Sequence, residues 1–229
     1  MAAAADKRLA GRTVAAVACF DSFGKMAMTL LAACRRQGAD TTLHLLEINN
    51  RALSRRQRLE IRRTDPRTRI EKHRWKDFRQ LTRAMAGEVD VLVLGLDGRR
   101  SRDALLMLAA EWKDTSRRPL LVSAYPGILF RFALEGMLDR AGVDLLCLNS
   151  SQDLELYQQG CRALGQDSSN AVVTGLPILW KTPQHQPPTD RPSIVFFEQP
   201  ILLFDQDDAA RPCRSHRQRV SPPDRPLEV

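Results

Sequence analysis

Between Arg118 and Ser150 the chain runs RPLLVSAYPG, then ILFRFALEGMLDRAG, then VDLLCLNS. Two apolar runs of strand length flank a segment of helix formers. Tyr125-Pro126-Gly127 breaks the first run and Asn149-Ser150 ends the second. A strand that is apolar almost throughout is buried on both faces, which is the pattern of parallel pairing, and parallel strands need a crossover between them. The stretch therefore predicts a βαβ unit with small and polar residues at its strand ends. A chain assembled from such units has few options beyond helices layered on a parallel sheet.

The same plan repeats on either side. TVAAVACF (13–20) predicts a first buried strand, followed by a helix through 24–36 with Met26, Leu30, Leu31 and Cys34 on one face. Asp21 or Ser22 is suited to cap that helix and Gly38 to stop it. TTLHLLEI (41–48) is the second strand. RALSRRQRLEIRR is helical in composition, Asp65-Pro66 marks a break, and TRIEKHRW reads as a short, edge-like third strand. A helix is expected over 77–86, and VDVLVLGL (89–96) is the clearest strand of all. Asp97-Gly98 turns it into a helix over 101–112, with Ser101 as the expected cap. Beyond the central unit, Ser150 and Asp153 have the spacing of a capping box ahead of a helix through Leu164. NAVVTGLPIL (170–179) closes the series at Gly175 and Pro177. Strands that alternate with helices in this way predict an α/β fold, an open, doubly wound parallel sheet of Rossmann-like type. A closed eightfold barrel needs two more repeats than residues 12–179 supply.

The domain plan that follows is a flexible lead-in (1–11), a Rossmann-like domain (12–180) and a Pro-rich linker, KTPQHQPPTDRP (181–192). SIVFFEQPIL (193–202) starts a new buried strand, and residues 203–229, which lack apolar periodicity, are expected to be disordered.

A net charge of +8 invites a nucleic-acid or membrane partner, but the charge is local. From Arg51 to Lys76, eleven Lys/Arg face three Asp/Glu, and the remainder is balanced. The window has no interleaved aromatics, which argues against nucleic acid and for a solvated helix face, with an anionic membrane surface or a phosphorylated acceptor next in line. Cys19, Cys34, Cys147, Cys161 and Cys213 form no CxxC pair and no zinc spacing, so reduced structural thiols are expected. No run is long enough to span a membrane, and the short apolar start is better used as a strand than as a signal peptide, so the expectation is cytoplasmic.

The turn after the first strand, Asp21-Ser22-Phe23-Gly24-Lys25, carries neither a dinucleotide fingerprint nor a P-loop. It leaves a carboxylate, a hydroxyl and an ammonium at the edge where open α/β sheets bind ligands, unless Asp21 or Ser22 only caps the helix. Asp97 points to the same edge, with a plain turn as its simpler role. Tyr125 and Gly127 offer a close backbone approach ahead of a helix, or merely a tight turn. Asn149-Ser150 and Gly175-Leu176-Pro177 sit at two further strand ends. Five such turns on one edge favour a site over five unrelated caps. His44, His73, His185 and His216 show no metal-ligand spacing, and no nucleophile elbow is present.

The sequence of parts, with its P-G turn, the DLLCLNS and VVTGLP strand ends and a linker into a new strand, resembles the GT-B glycosyltransferases. It is most similar to an uncharacterised bacterial group of that type, over roughly Thr13–Gln199. The resemblance implies a two-domain enzyme without cofactor or essential metal, which takes a sugar from a nucleotide-sugar donor to a glycan or lipid-linked acceptor. It implies that this half holds the acceptor, with Asp21 the general base, Ser22 and Lys25 beside it, and Asp97, Tyr125, Gly127, Asn149 and Ser150 shaping the cleft floor. Donor-binding residues belong to the other half and are not identified. Because such an enzyme needs a second domain as large as the first, a reading frame truncated or shifted near Leu203 is expected, with an inactive product. Two rivals stand beside this reading. One is an isomerase, since UDP-sugar epimerases are similar in architecture. The other is a non-catalytic α/β binding domain that uses its basic window.

Overall fold

The computed structural model describes residues 7–49, 52–113, 118–127 and 134–177. Seven strands form one sheet: β1 (Thr13–Ala18), β2 (Asp40–Glu47), β3 (Arg69–Arg74), β4 (Val91–Gly95), β5 (Leu120–Ala124), β6 (Leu145–Leu148) and β7 (Ala171–Val173). Their order is β3-β2-β1-β4-β5-β6-β7 and every pairing is parallel. The chain is α/β and Rossmann-like. Among the described residues six α-helices accompany the strands: α1 (Asp21–Arg36), α2 (Arg55–Thr64), α3 (Phe78–Met85), α4 (Gly98–Trp112), α5 (Leu134–Leu138) and α6 (Ser151–Ala163).

The order of the strands dictates where the helices lie. From β1 the chain steps outward through β2 to β3, then returns past β1 and steps the other way through β4 to β7. Right-handed crossovers put helices from opposite directions of travel on opposite faces. The buried side chains follow this rule. Val14, Ala16 and Ala18 of β1 pack with Met26, Met28 and Leu31 of α1 and Ile61 of α2. Ala15 and Val17, which alternate with them, pack on the other side with Phe78 of α3, Leu108 of α4, Met137 of α5 and Tyr157 of α6. The direction reverses between β1 and β4, and this is where such sheets open a crevice at their carboxyl ends.

Several helix starts differ from the sequence reading. Helix α1 begins at Asp21, not after it, and its N-cap is Phe20, with no side-chain capping bond from Asp21 or Ser22. Helix α4 begins at Gly98, capped by Asp97, whose carboxylate accepts from the Arg100 N–H at 3.0 Å. Ser101, the expected cap, lies buried inside the helix with its hydroxyl donating to the Leu96 carbonyl at 3.3 Å. A capping box starts α2, with Ser54 and Gln57 satisfying each other's backbone N–H. Ser150 caps α6 as expected, accepting from the Asp153 N–H at 3.2 Å. Within the stretch expected to fray, residues 7–11 form a turn whose Leu9 N–H donates to the Gln37 carbonyl at 2.9 Å. The linker, the strand after it and the C-terminal tail lie outside the described residues, as do residues 128–133 of the crossover before α5.

Cys19, Cys147 and Cys161 are buried and Cys34 half-buried, all as free thiols. Among the described residues no helix is long and apolar enough to cross a membrane.

At the opposite end of the sheet from the candidate site, Asp144 locks β6 to β5. Its carboxylate accepts from both terminal nitrogens of Arg118, at 2.6 and 2.7 Å, and from the Leu121 N–H at 2.8 Å. The Arg118 guanidinium and, after it, the backbone N–H hold this carboxyl below its usual range. A depressed folded-state pKa adds stability that is complete above the unfolded-chain value and is lost as pH falls through the folded one. Asp144→Asn is therefore expected to cost stability at neutral pH and to flatten the acid limb. Urea midpoints of the two proteins should converge as the pH is lowered.

Candidate functional site

β1, β4, β5 and β6 are neighbours in a parallel sheet, so the residues that follow them share one edge. Phe20–Lys25, Asp97-Gly98, Tyr125–Gly127 and Asn149-Ser150 all stand there, as the sequence suggested. The structure gives them different tasks.

Asp21 opens α1. Its Oδ2 accepts from the Lys25 ammonium at 2.7 Å, one helical turn on, and that ammonium also meets Glu60 of α2 at 3.1 Å. The hydrogen bonds from Asp21, then Glu60, raise the Lys25 pKa, so the lysine stays charged. The other Asp21 oxygen, Oδ1, is buried and has no hydrogen-bond partner among the described residues. Buried acceptors are nearly always satisfied, which sets this oxygen apart from the others at the strand ends. Ser22 beside it is exposed.

Phe20, immediately before, has φ 61° and ψ 162°. That region is almost exclusive to glycine and costs a side-chain-bearing residue ~1–3 kcal/mol. Phe20 is 40% exposed, with the Arg100 guanidinium 5.5 Å from its ring centroid, so burial does not explain the conformation. Strain of this kind gathers at functional sites. Phe20→Gly is expected to raise stability by about 1 kcal/mol, the relief of strain exceeding the entropy added to the unfolded chain. Thermal melts of the two proteins measure it.

Asp97 is occupied by its own helix. Besides capping α4 it pairs with the Arg100 guanidinium. Tyr125 is buried, with its hydroxyl accepting from Arg140 at 3.1 Å and its ring beneath that guanidinium at 4.3 Å. Burial, the main cause, pushes the phenol up to about 12, so it remains protonated. Asn149 donates from its amide to the Gly127 carbonyl and so holds the turn after β5 against the end of β6. Ser150 is a cap. A cavity of about 480 Å³ opens between the ends of β4 and β5, lined by Phe23, Asp97, Arg99, Tyr125, Glu135 and Arg140 among others. A Cβ on Gly98 would lie 2.9 Å from Asp139 Oδ2 and 3.0 Å from the Cα of Gly136, so the cavity wall, where α4 meets α5, is closely packed there.

Arg140 is the residue of this site that the sequence reading missed. It is 1% exposed and donates to the Leu96 and Gly136 carbonyls as well as to Tyr125. It sits in the middle of an amphipathic-looking segment (MLDRAG), where nothing distinguishes it from a solvated arginine. His44 and His73, scattered in sequence, also meet across β2 and β3, with Glu71 between them. On α2, by contrast, Arg55, Arg56, Arg62 and Arg63 are exposed, as a solvated basic face would be.

The family described as "Putative glycosyltransferase (DUF6716)" matches residues 14–211. The chain belongs to this family. The match spans every strand of the sheet and the whole strand-end row. No curated protein matches the sequence. Among solved structures the chain is similar to LpCGTa in complex with UDP, at 10% identity and a TM-score of 0.45, over 72% of this chain and 52% of that one. It thus spans about half the length of that protein. It is also similar to a Lactobacillus casei protein, at 16% identity and a TM-score of 0.39 over 61% of this chain and 74% of that one. A third is the C-terminal domain of the coenzyme A biosynthesis bifunctional protein CoaBC, at 12% identity and a TM-score of 0.36, over 70% and 95% of the two chains. At these scores none of the three bears on what the site does.

Proposed function

We propose that the described residues form the acceptor-side domain of a GT-B-type glycosyltransferase that moves a sugar from a nucleotide-sugar donor to a hydroxyl of a glycan or lipid-linked acceptor. One observation carries the reading. At the reversal point of the sheet stands a carboxylate with one oxygen fixed by Lys25 and the other buried without a partner among the described residues. An acceptor hydroxyl is the donor that oxygen lacks.

The chemistry follows from that pairing. Asp21 Oδ1 accepts the hydroxyl proton while the hydroxyl oxygen forms its bond to the anomeric carbon of the sugar. The bond from that carbon to the diphosphate breaks, and the nucleoside diphosphate leaves with the electron pair. Lys25 keeps the carboxylate oriented. Ser22, Asp97, Tyr125, Gly127, Asn149 and Ser150 shape the floor on which the acceptor rests, and Arg140 stiffens it from below. The donor belongs to a second domain, and none of the described residues is assigned to it. For a lipid-linked acceptor, the exposed arginines of α2 supply a surface for anionic headgroups.

The test is nucleoside diphosphate release by protein purified from its native source, given a panel of nucleotide sugars with and without hydroxyl acceptors. Release that requires an acceptor supports transfer. Epimer formation without acceptor would replace this reading with the isomerase. No turnover, together with salt-sensitive ligand binding that vanishes when Arg55, Arg56, Arg62 and Arg63 are changed, would replace it with a binding domain.

A further inference from the structure

We propose that His44, Glu71 and His73 form a binding site for one divalent cation of the zinc class, independent of the strand-end site. His44 lies on β2, paired in register with Glu71 of β3, and His73 follows two residues later. Alternate residues of a strand share a face, so all three project from the same side of the sheet. Among the described residues this is the one trio of ligating side chains with its donor atoms gathered together.

The spacing is that of a coordination shell. His44 Nδ1 and His73 Nε2 are 3.1 Å apart, and Glu71 Oε2 lies 3.3 Å from the first and 3.4 Å from the second. Metal–ligand bonds of about 2.0–2.1 Å in a tetrahedron put neighbouring ligand atoms about 3.3–3.4 Å apart, whereas an octahedron of the same bonds brings them to about 3.0 Å. The two separations from Glu71 match a tetrahedral edge, and the two imidazole nitrogens, at 3.1 Å, have to part by about 0.2 Å to complete one tetrahedral face, which leaves one vertex for water. Glu71 and His73 are partly exposed, so an ion has a way in.

One neighbouring charge, the Arg69 guanidinium, shares this face and opposes a cation, and the carboxylate of Glu71 stands between it and the imidazoles. Arg69 meets the other Glu71 oxygen, Oε1, at 3.2 Å, which leaves Oε2 turned to the imidazoles. Lys72 and Arg74 alternate with Glu71 and His73 and so project from the opposite face. His44 is buried, and that burial, more than any neighbouring charge, lowers its pKa to about 4. Without an ion, the two facing nitrogens share a proton as a simple hydrogen-bonded cluster.

Zinc titrated into the full chain against a chromophoric chelator distinguishes the two. The expected result is saturable uptake of about one equivalent, and with cobalt an intense visible spectrum of tetrahedral type. His73→Ala and, separately, Glu71→Gln are each expected to weaken uptake by ~10-fold or more. Both residues are partly exposed, and circular dichroism establishes that each variant is folded. The proposal is overturned by no saturable uptake in the unaltered chain, or by undiminished uptake in either folded variant. Weak, octahedral-type cobalt bands would also overturn the tetrahedral assignment.

Discussion

Asp21→Asn is expected to cut turnover by about 10²–10⁴-fold with little change in stability. The amide is the same size as the carboxylate, and its oxygen can still accept from Lys25, so the first turn of α1 keeps its geometry. What is lost is the ability to take a proton. Because a general base acts in the transition state, the loss should fall on kcat, with KM nearly unchanged. Nucleoside diphosphate release under single-substrate saturation measures it, with circular dichroism as the check on folding. A variant that turns over at the unaltered rate would mean that the proton goes elsewhere. Ser22→Ala, one residue along on an exposed side chain, should change the rate far less.

Arg140→Met is expected to be the most destabilising single change at the site, at about 3–5 kcal/mol, the usual cost of breaking a buried charged network. The guanidinium is almost fully enclosed and serves two backbone carbonyls and a phenol. Methionine fills much of the same volume but leaves the Leu96 and Gly136 carbonyls and the Tyr125 hydroxyl without a donor, at ~1–3 kcal/mol for each buried group left unsatisfied. Part of this is returned, because the charge itself no longer has to be buried; burial already draws its pKa below the ordinary value. Lysine cannot reproduce the fork, so Arg140→Lys should recover only a fraction. The shift in urea midpoint at constant slope reports the loss. A shift comparable to that of a surface arginine would show that the three acceptors find other partners.

The strands were legible because burial on both faces leaves an apolar run that needs no period to recognise it. β3 was legible for the opposite reason: an edge strand tolerates RIEKHR, and only an edge strand does. Caps were read less well. Ser101 stands three residues before the apolar run from Ala104 and Asp97 stands further off, yet the carboxylate three residues before Arg100 reaches its N–H, and the helix starts a turn earlier. The row of strand ends followed from parallel topology alone. Which of its members are held by their own helices, as Asp97 and Ser150 are, depends on side-chain rotation that no spacing reveals. Phe20 reads as an ordinary apolar residue at the end of a strand, and its strain exists only in the backbone. The His44, Glu71 and His73 trio left half a signal, the E-x-H alternation on one strand. Its other half arrives through the register of β2 against β3, a property of the fold and of no local segment.

β1 is the first strand among the described residues and lies inside its sheet, between β2 and β4. When it is synthesised, one flank can be closed soon afterwards by β2, but the other waits for Val91–Gly95, to which Val14–Ala18 pair directly. Contacts between segments so distant in sequence form slowly, since the intervening chain must be confined before they repay the entropy. During that interval Val14, Ala16 and Val17, wholly enclosed in the finished protein, lie along an open strand edge. Emergence from the ribosome thus leaves this edge of β1 open to aggregation until β4 covers it.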